Sequence, residues 1–202
     1  MKTGIIFNNF SVSKDREYLW DVFFDTISHY RKNLTDARFL CCGSGVVPEN
    51  HELDGVFMQS KNAVESYHNN PLLMGRAIER CVELECDKIM FINPYYRINN
   101  FSFLNNKISL LSDYGLYPQD IIKSKQISFN FLYVSSDFIK KAWSKHPWNY
   151  NLQDPSENLF KKINNITSAR KILNEGTFLS KKDLAVQELR VFWKSNIKYT
   201  QH

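Results

Sequence analysis

No run of apolar residues in this 202-residue chain approaches the roughly 20 that a membrane helix requires. The opening MKTGIIFNNF has no apolar core followed by a small-residue cleavage site, so the protein is expected to stay in the cytoplasm where it is made. Glycine-rich phosphate loops are also missing. Neither G-x-G-x-x-G nor G-x-x-x-x-G-K-[ST] occurs, and Gly43-Ser44-Gly45 is too short to stand in for either, which argues against a dinucleotide oxidoreductase and a P-loop kinase. There is no G-x-S-x-G elbow or H-E-x-x-H helix, and the five histidines are not patterned as a catalytic triad. Cysteines number four. Cys41 and Cys42 are adjacent on an expected strand and face opposite sides, and Cys81 and Cys86 stand five apart on an expected helix, about 140° around its axis. Neither pair has the spacing of zinc ligands; four buried, reduced thiols are predicted and no metal site.

What the chain does contain is aromatic volume and dispersed charge. Fifteen Phe, ten Tyr and four Trp supply much of the core. The net charge of +5 is mild and its lysines fall in short clusters such as Lys140-Lys141 and Lys181-Lys182, a solvated surface more than a nucleic-acid face. The length suits one core of about 150 residues with an extension.

Hydrophobic patterning gives the order of elements. Gly4-Ile5-Ile6-Phe7 is a buried parallel strand that stops at Asn8-Asn9, and residues 15–32 carry Leu19, Trp20, Phe23, Phe24, Ile27 and Tyr30 at helical spacing. A second strand over residues 37–42 ends in the Gly43-Ser44-Gly45 turn, and a short one over 55–59 follows. The helix over residues 71–85 begins on Pro71 and buries Leu73, Ala77, Cys81 and Leu84. Lys88-Ile-Met-Phe-Ile92 is a central strand ended by Asn93-Pro94. Beyond it come a helix over 103–112, a strand over 127–134 and helices over 136–144 and 155–163. The alternation predicts an α/β fold with a mixed, mostly parallel sheet covered by helices on both faces, and ligands outside the carboxyl ends of the strands. Residues 1–165 make the domain, and residues 166–202 a helical C-terminal extension of it.

The stretch NPLLMGRAIERCVELECDKIMFINPY, from Asn70 to Tyr95, resembles the middle of GT-A glycosyltransferases, where a helix leads into a strand ending in a metal-binding DxD. The resemblance covers residues 3–165 and implies a GT-A, Rossmann-like fold that binds a nucleotide sugar and transfers the sugar to a hydroxyl of a glycan, lipid or nucleic-acid base. It places Asn8, Asn9, Ser44 and Arg76 near the nucleotide and Arg97 near the leaving phosphate. Asn93 and Tyr95 fall on the two DxD carboxylates, and an amide and a phenol are poor ligands for a hard cation, so dependence on Mn²⁺ or Mg²⁺ is doubtful. Residues 128–136 are similar to the strand beside the donor sugar, with Trp143 and Trp148 downstream as acceptor-site aromatics.

The segment Gln153-Asp-Pro-Ser-Glu-Asn-Leu-Phe160 resembles the helix start that carries the general base, which makes Asp154 and Glu157 the catalytic candidates. The same D-P-S-E is also a helix cap, and Arg76 alone reads as a surface residue paired with Glu79 or Glu83. Two other functions stay open: a non-catalytic relative that holds a nucleotide or a protein partner, and a nucleic-acid accessory protein stacking bases on Tyr95, Tyr96 and Trp148.

Overall fold

The computed structural model describes residues 2–12, 17–47, 51–59, 71–109, 116–118, 131–144, 177–179 and 181–189. Strand β1 (Thr3–Val12) is an interior strand of the sheet, and its run of Ile5, Ile6 and Phe7 is fully buried because helices cover both faces. Helix α1 (Tyr18–Asn33) crosses one face to β2 (Ala37–Gly45), which pairs parallel with β1, and β3 (Gly55–Gln59) continues outward parallel to β2. The chain then returns through α2 (Pro71–Glu83) on the opposite face and enters β4 (Lys88–Ile92) on the other side of β1. Short β5 (Tyr96–Ile98) and α3 (Phe101–Ser109) follow, then β6 (Leu116–Pro118), β7 (Phe131–Ser135), α4 (Ser136–Ser144), β8 (Thr177–Leu179) and β9 (Val186–Glu188).

The main sheet has the order β3-β2-β1-β4-β7-β6-β8. Four of its contacts are parallel, and those of β7 with β4 and β6 are antiparallel. This is the expected mixed, mostly parallel α/β sheet. Period-2 alternation sends Ile5, Phe7, Phe39, Cys41, Met90 and Ile92 toward α1, and Ile6, Leu40, Cys42, Ile89 and Phe91 toward α2 and α4. Cys41 and Cys42 thus face opposite sides, and all four cysteines are free and buried. On the α1 face the core is aromatic, with Phe7 and Phe23 edge to face at 4.9 Å and Tyr30 against Phe101 at 5.8 Å.

Several boundaries differ from expectation. β2 continues through Gly43 and Ser44, since both pair with β1 on one side and β3 on the other, and only Gly45, at φ 121°, leaves the extended region. α2 stops at Glu83, short of residue 85, so Cys86 is not on the helix. The expected helix over 155–163 lies outside the described residues.

The expected helical extension does not hold where residues 166–202 are described. Residues 181–185 make one turn, closed where Ala185 takes φ 47° with Ala185 N–H on the Lys182 carbonyl and Val186 N–H on that of Lys181. Leu184 is buried against the α1 face, its carbonyl accepting from Asn99 and Asn100 N–H, and β9 then pairs antiparallel with β5. Burial of one leucine and a free strand edge outweigh the helix propensity of a short segment. Among the described residues no helix is long and apolar enough to cross a membrane.

Candidate functional site at the carboxyl edge of the sheet

The order β3-β2-β1-β4 reverses direction between β1 and β4. The connection from β1 to β2 runs over one face and the return to β4 comes over the other, the switch-point topology at which α/β sheets form a crevice outside the carboxyl ends of the two strands. The register runs from Thr3 opposite Lys88 to Phe7 opposite Ile92, and Asn8 and Asn93 are the next residues on each strand.

Asn8 is fully buried, and neither its carboxamide oxygen nor its nitrogen has a hydrogen-bond partner among the described residues. The sheet explains how it came to be there. Phe7 pairs with Cys41 but Phe10 with Gly43, so β1 carries one residue more than β2 between these pairs, a bulge at Asn8-Asn9. A buried amide left in this state costs about 1–3 kcal/mol for each unmet group, which a fold retains where a ligand or water meets the need.

Asn93 closes β4. Its Oδ1 accepts from Tyr95 N–H at 2.9 Å, and its carbonyl accepts from Tyr96 N–H at 3.0 Å, an Asx-turn that sends the chain into β5. Below the turn, the buried Tyr30 hydroxyl donates to the Tyr96 carbonyl and accepts from Ile98 N–H, and desolvation of the phenol pushes its pKa well up. On the β2 side the Trp20 indole donates to the Val46 carbonyl at 2.9 Å, holding the segment that leaves β2 against α1.

Ser44, half-buried on β2, stands opposite Ser11 of β1 and Gln59 of β3, so it belongs to the same edge as Asn8 and Asn93. Asn9 is in β1. Arg76 is on the exposed side of α2, opposite the buried Met74, Ala77, Ile78 and Cys81. Arg97 turns away from the crevice: its guanidinium pairs with Asp25 and its Nε reaches Thr26 Oγ1 at 3.4 Å, both on α1. Trp143 lies in α4, and Trp148, Asp154 and Glu157 lie outside the described residues.

Lys181 is a neighbour that patterning did not reveal. Its ammonium pairs with Glu188, donates to the Tyr96 hydroxyl at 3.0 Å and sits 4.6 Å from that ring's centroid, and the Glu188 and Tyr96 contacts raise its pKa. Sequence shows it only as half of a lysine doublet, because nothing local signals that residues 181–188 return to β5.

The donor set at the turn does not fit a hard divalent cation, since Asn93 Oδ1 is already an acceptor for Tyr95 N–H and Tyr95 brings a phenol. Among the described residues no three His, Cys, Asp or Glu side chains are grouped to hold a metal. A groove of about 320 Å³ between Phe24, Ile27 and Arg31 of α1 and His51-Glu52 lies toward the amino ends of the strands, away from Asn8.

No protein-family model and no curated protein matches the sequence. Among solved structures, the chain is similar to a protein of Desulfovibrio desulfuricans assigned as a nucleotide-diphospho-sugar transferase, at 11% identity over 89% of this chain and 80% of that one, with a TM-score of 0.42. It is also similar to the glycosyltransferase GlyE of Streptococcus pneumoniae in its apo form, at 10% identity over 91% of this chain, TM-score 0.46, and in a second structure at 8% over 90%, TM-score 0.45. The chain spans 46% of GlyE in both cases.

Proposed function

We propose that this chain is a glycosyltransferase-like protein that binds a nucleotide sugar at the carboxyl ends of β1 and β4 and passes the sugar to a hydroxyl acceptor. The observation that carries the reading is the unpartnered, fully buried carboxamide of Asn8 beside Asn93, at the point where strand order reverses. A carboxamide offers one donor pair and one acceptor, which matches the alternating donors and acceptors of a nucleobase or ribose. Asn9 and Ser44 extend that edge, and Arg76 is the cation of α2 assigned to the diphosphate. Asn93 and Tyr95 face the leaving group in place of a metal pair, so hydrogen bonds rather than a Lewis acid stabilise the departing nucleotide. Asp154 or Glu157 takes the proton from the attacking hydroxyl, with Trp143 and Trp148 against the acceptor.

A non-catalytic relative is the second reading, favoured by the engagement of Asn93 in its own turn. Thermal shift with UDP-, GDP-, CMP- and TDP-sugars, each with and without Mn²⁺, tests the site, since specific binding raises the midpoint by mass action. A shift with one donor, unchanged by Mn²⁺, supports the proposal. Release of free nucleotide by that complex, lost in Asp154→Asn or Glu157→Gln, separates enzyme from binder. No shift with any donor overturns the donor site.

A further inference from the structure

Helix α2 ends in a closure that brings two cysteines together. The Cys86 N–H bonds the Cys81 carbonyl at 2.9 Å, and the Glu85 N–H bonds that of Val82 at 2.9 Å, with Glu85 in the left-handed region at φ 57°. These are the two hydrogen bonds of a Schellman motif, in which the residue after the left-handed position folds back against the third residue from the helix end. That contact is usually between two apolar side chains. Here it is between thiols. Both sulfurs converge on one point of the sheet: a Cβ built on Gly4 would collide with Cys81 Sγ and lie 3.3 Å from Cys86 Sγ. Glycine at position 4 leaves the space that the two thiols fill.

We propose that Cys81 and Cys86 are a redox modification site, a dithiol that closes to an intramolecular disulfide across the end of α2 when it meets a peroxide. A disulfide requires Cα atoms about 4.4–6.8 Å apart, and here the backbone bond from Cys86 N–H to the Cys81 carbonyl holds the two residues together while both sulfurs meet over Gly4. The two thiols are not equivalent. Cys81 is fully enclosed and Cys86 is 5% exposed, on the turn beyond the helix. The hydrogen bond with Cys86, together with burial, pushes the Cys81 thiol far up, and the same bond, with the charges of Lys2 and Arg38, draws Cys86 down. Cys86 is therefore the attacking sulfur and Cys81 the resolving one.

The chemistry closes on these atoms. The Cys86 thiolate attacks one peroxide oxygen, the O–O bond breaks, and hydroxide leaves and takes up the proton Cys86 lost, giving water and a sulfenic acid. Cys81 then attacks the Cys86 sulfur, the S–O bond breaks, and the departing hydroxide takes the Cys81 proton. Two thiols and one peroxide give a disulfide and two waters, with both electrons passing from sulfur to oxygen. The site is at the amino end of β4, where Ser136 Oγ donates to the Cys86 carbonyl at 2.5 Å, at the far end of the sheet from Asn8 and Asn93. It is independent of the proposed donor site.

Tryptic digestion reads the outcome directly, because cleavage after Arg80 and Lys88 leaves both cysteines on one peptide, CVELECDK. After hydrogen peroxide is added to the reduced, folded full-length chain, and remaining thiols are alkylated in denaturant, that peptide is expected unalkylated and lighter by two hydrogens. Cys41 and Cys42 are expected fully alkylated, and thiol reductant restores all four. Cys81→Ser is expected to accumulate a Cys86 sulfenic acid trapped by dimedone, whereas Cys86→Ser leaves Cys81 unmodified. The proposal is overturned if both thiols stay alkylatable at peroxide levels that oxidise free glutathione, if they go only to sulfinic or sulfonic acid, or if the disulfide maps to another pair.

Discussion

The hydroxyl of Tyr30, on α1, donates to the Tyr96 carbonyl of β5 at 2.9 Å, and Ile98 N–H returns a bond to the same oxygen at 3.1 Å. His29 Nε2 meets the Ile98 carbonyl at 2.8 Å, so α1 satisfies the edge of β5 that β9 does not cover. β5 begins directly after the Asn93 turn, and this anchor fixes where the turn lies. Tyr30→Phe leaves a buried carbonyl and N–H unmet and is expected to cost about 1–3 kcal/mol in urea unfolding. It is also expected to weaken nucleotide-sugar binding without touching the ligand. A midpoint equal to wild type would show that the Tyr30 hydroxyl adds nothing to the hold of α1 on β5.

Asn8 poses the opposite case, a group that stability does not explain. Leucine has nearly the same branched shape and no polar atoms, so Asn8→Leu removes a desolvation penalty with little change in packing. The unliganded protein is expected to be as stable as wild type or up to about 2 kcal/mol more stable, while the thermal shift produced by the nucleotide sugar disappears. Loss of stability together with intact binding would show that Asn8 serves the fold and not the ligand.

Arg97 has the position of a leaving-group cation in sequence and the contacts of a strut. Its side chain is 14% exposed, and its partner Asp25 is 69% exposed. An ion pair open to water on one side contributes under about 1 kcal/mol. Asp25→Ala and Arg97→Gln are each expected to lower the unfolding free energy by no more than about that amount and to leave the affinity for nucleotide sugar unchanged. A tenfold loss of affinity in Arg97→Gln alone would return the residue to the donor site.

These three residues also mark how far the sequence could be read. β1 and β4 were legible because strands buried on both faces are continuous apolar runs, and α1 and α2 because each buries one stripe. From those four elements the switch point follows, and with it Asn8 and Asn93. β5, β8 and β9 are three residues each, too short to show a period, and their pairing spans the chain: Tyr96 meets Glu188. The partner of Arg97 was hidden for the same reason, since Asp25 is distant in sequence and becomes close only once α1 lies on β5. α2 stops two residues before its apolar pattern suggests, because its left-handed position holds Glu85, where glycine would announce the stop. Asp154, Glu157 and Trp148 rest on resemblance, outside the described residues.

Buried acidic protons set the behaviour at high pH. Burial pushes Cys42 up to about 12 from 9.0 and Tyr133 up to about 12 from 10.0. In the unfolded chain these groups ionise near their ordinary values, so between those values and about 12 the unfolded state loses protons that the folded state keeps. A pKa raised by folding means stability fully present below the unfolded value and lost as pH rises toward the folded one. The unfolding free energy is therefore expected to be unaffected by these two groups below pH 9, to fall from about pH 9 through Cys42, and to fall more steeply above 10 as Tyr133 joins, each contributing up to about 1.4 kcal/mol per pH unit. Urea midpoints measured at pH 8, 9.5 and 10.5 under reducing conditions read this limb. Cys42→Ala is expected to start lower at pH 8, because it leaves a cavity, yet to lose less between 8 and 9.5. An equal loss in both proteins would mean that the Cys42 thiol ionises as freely in the fold as outside it.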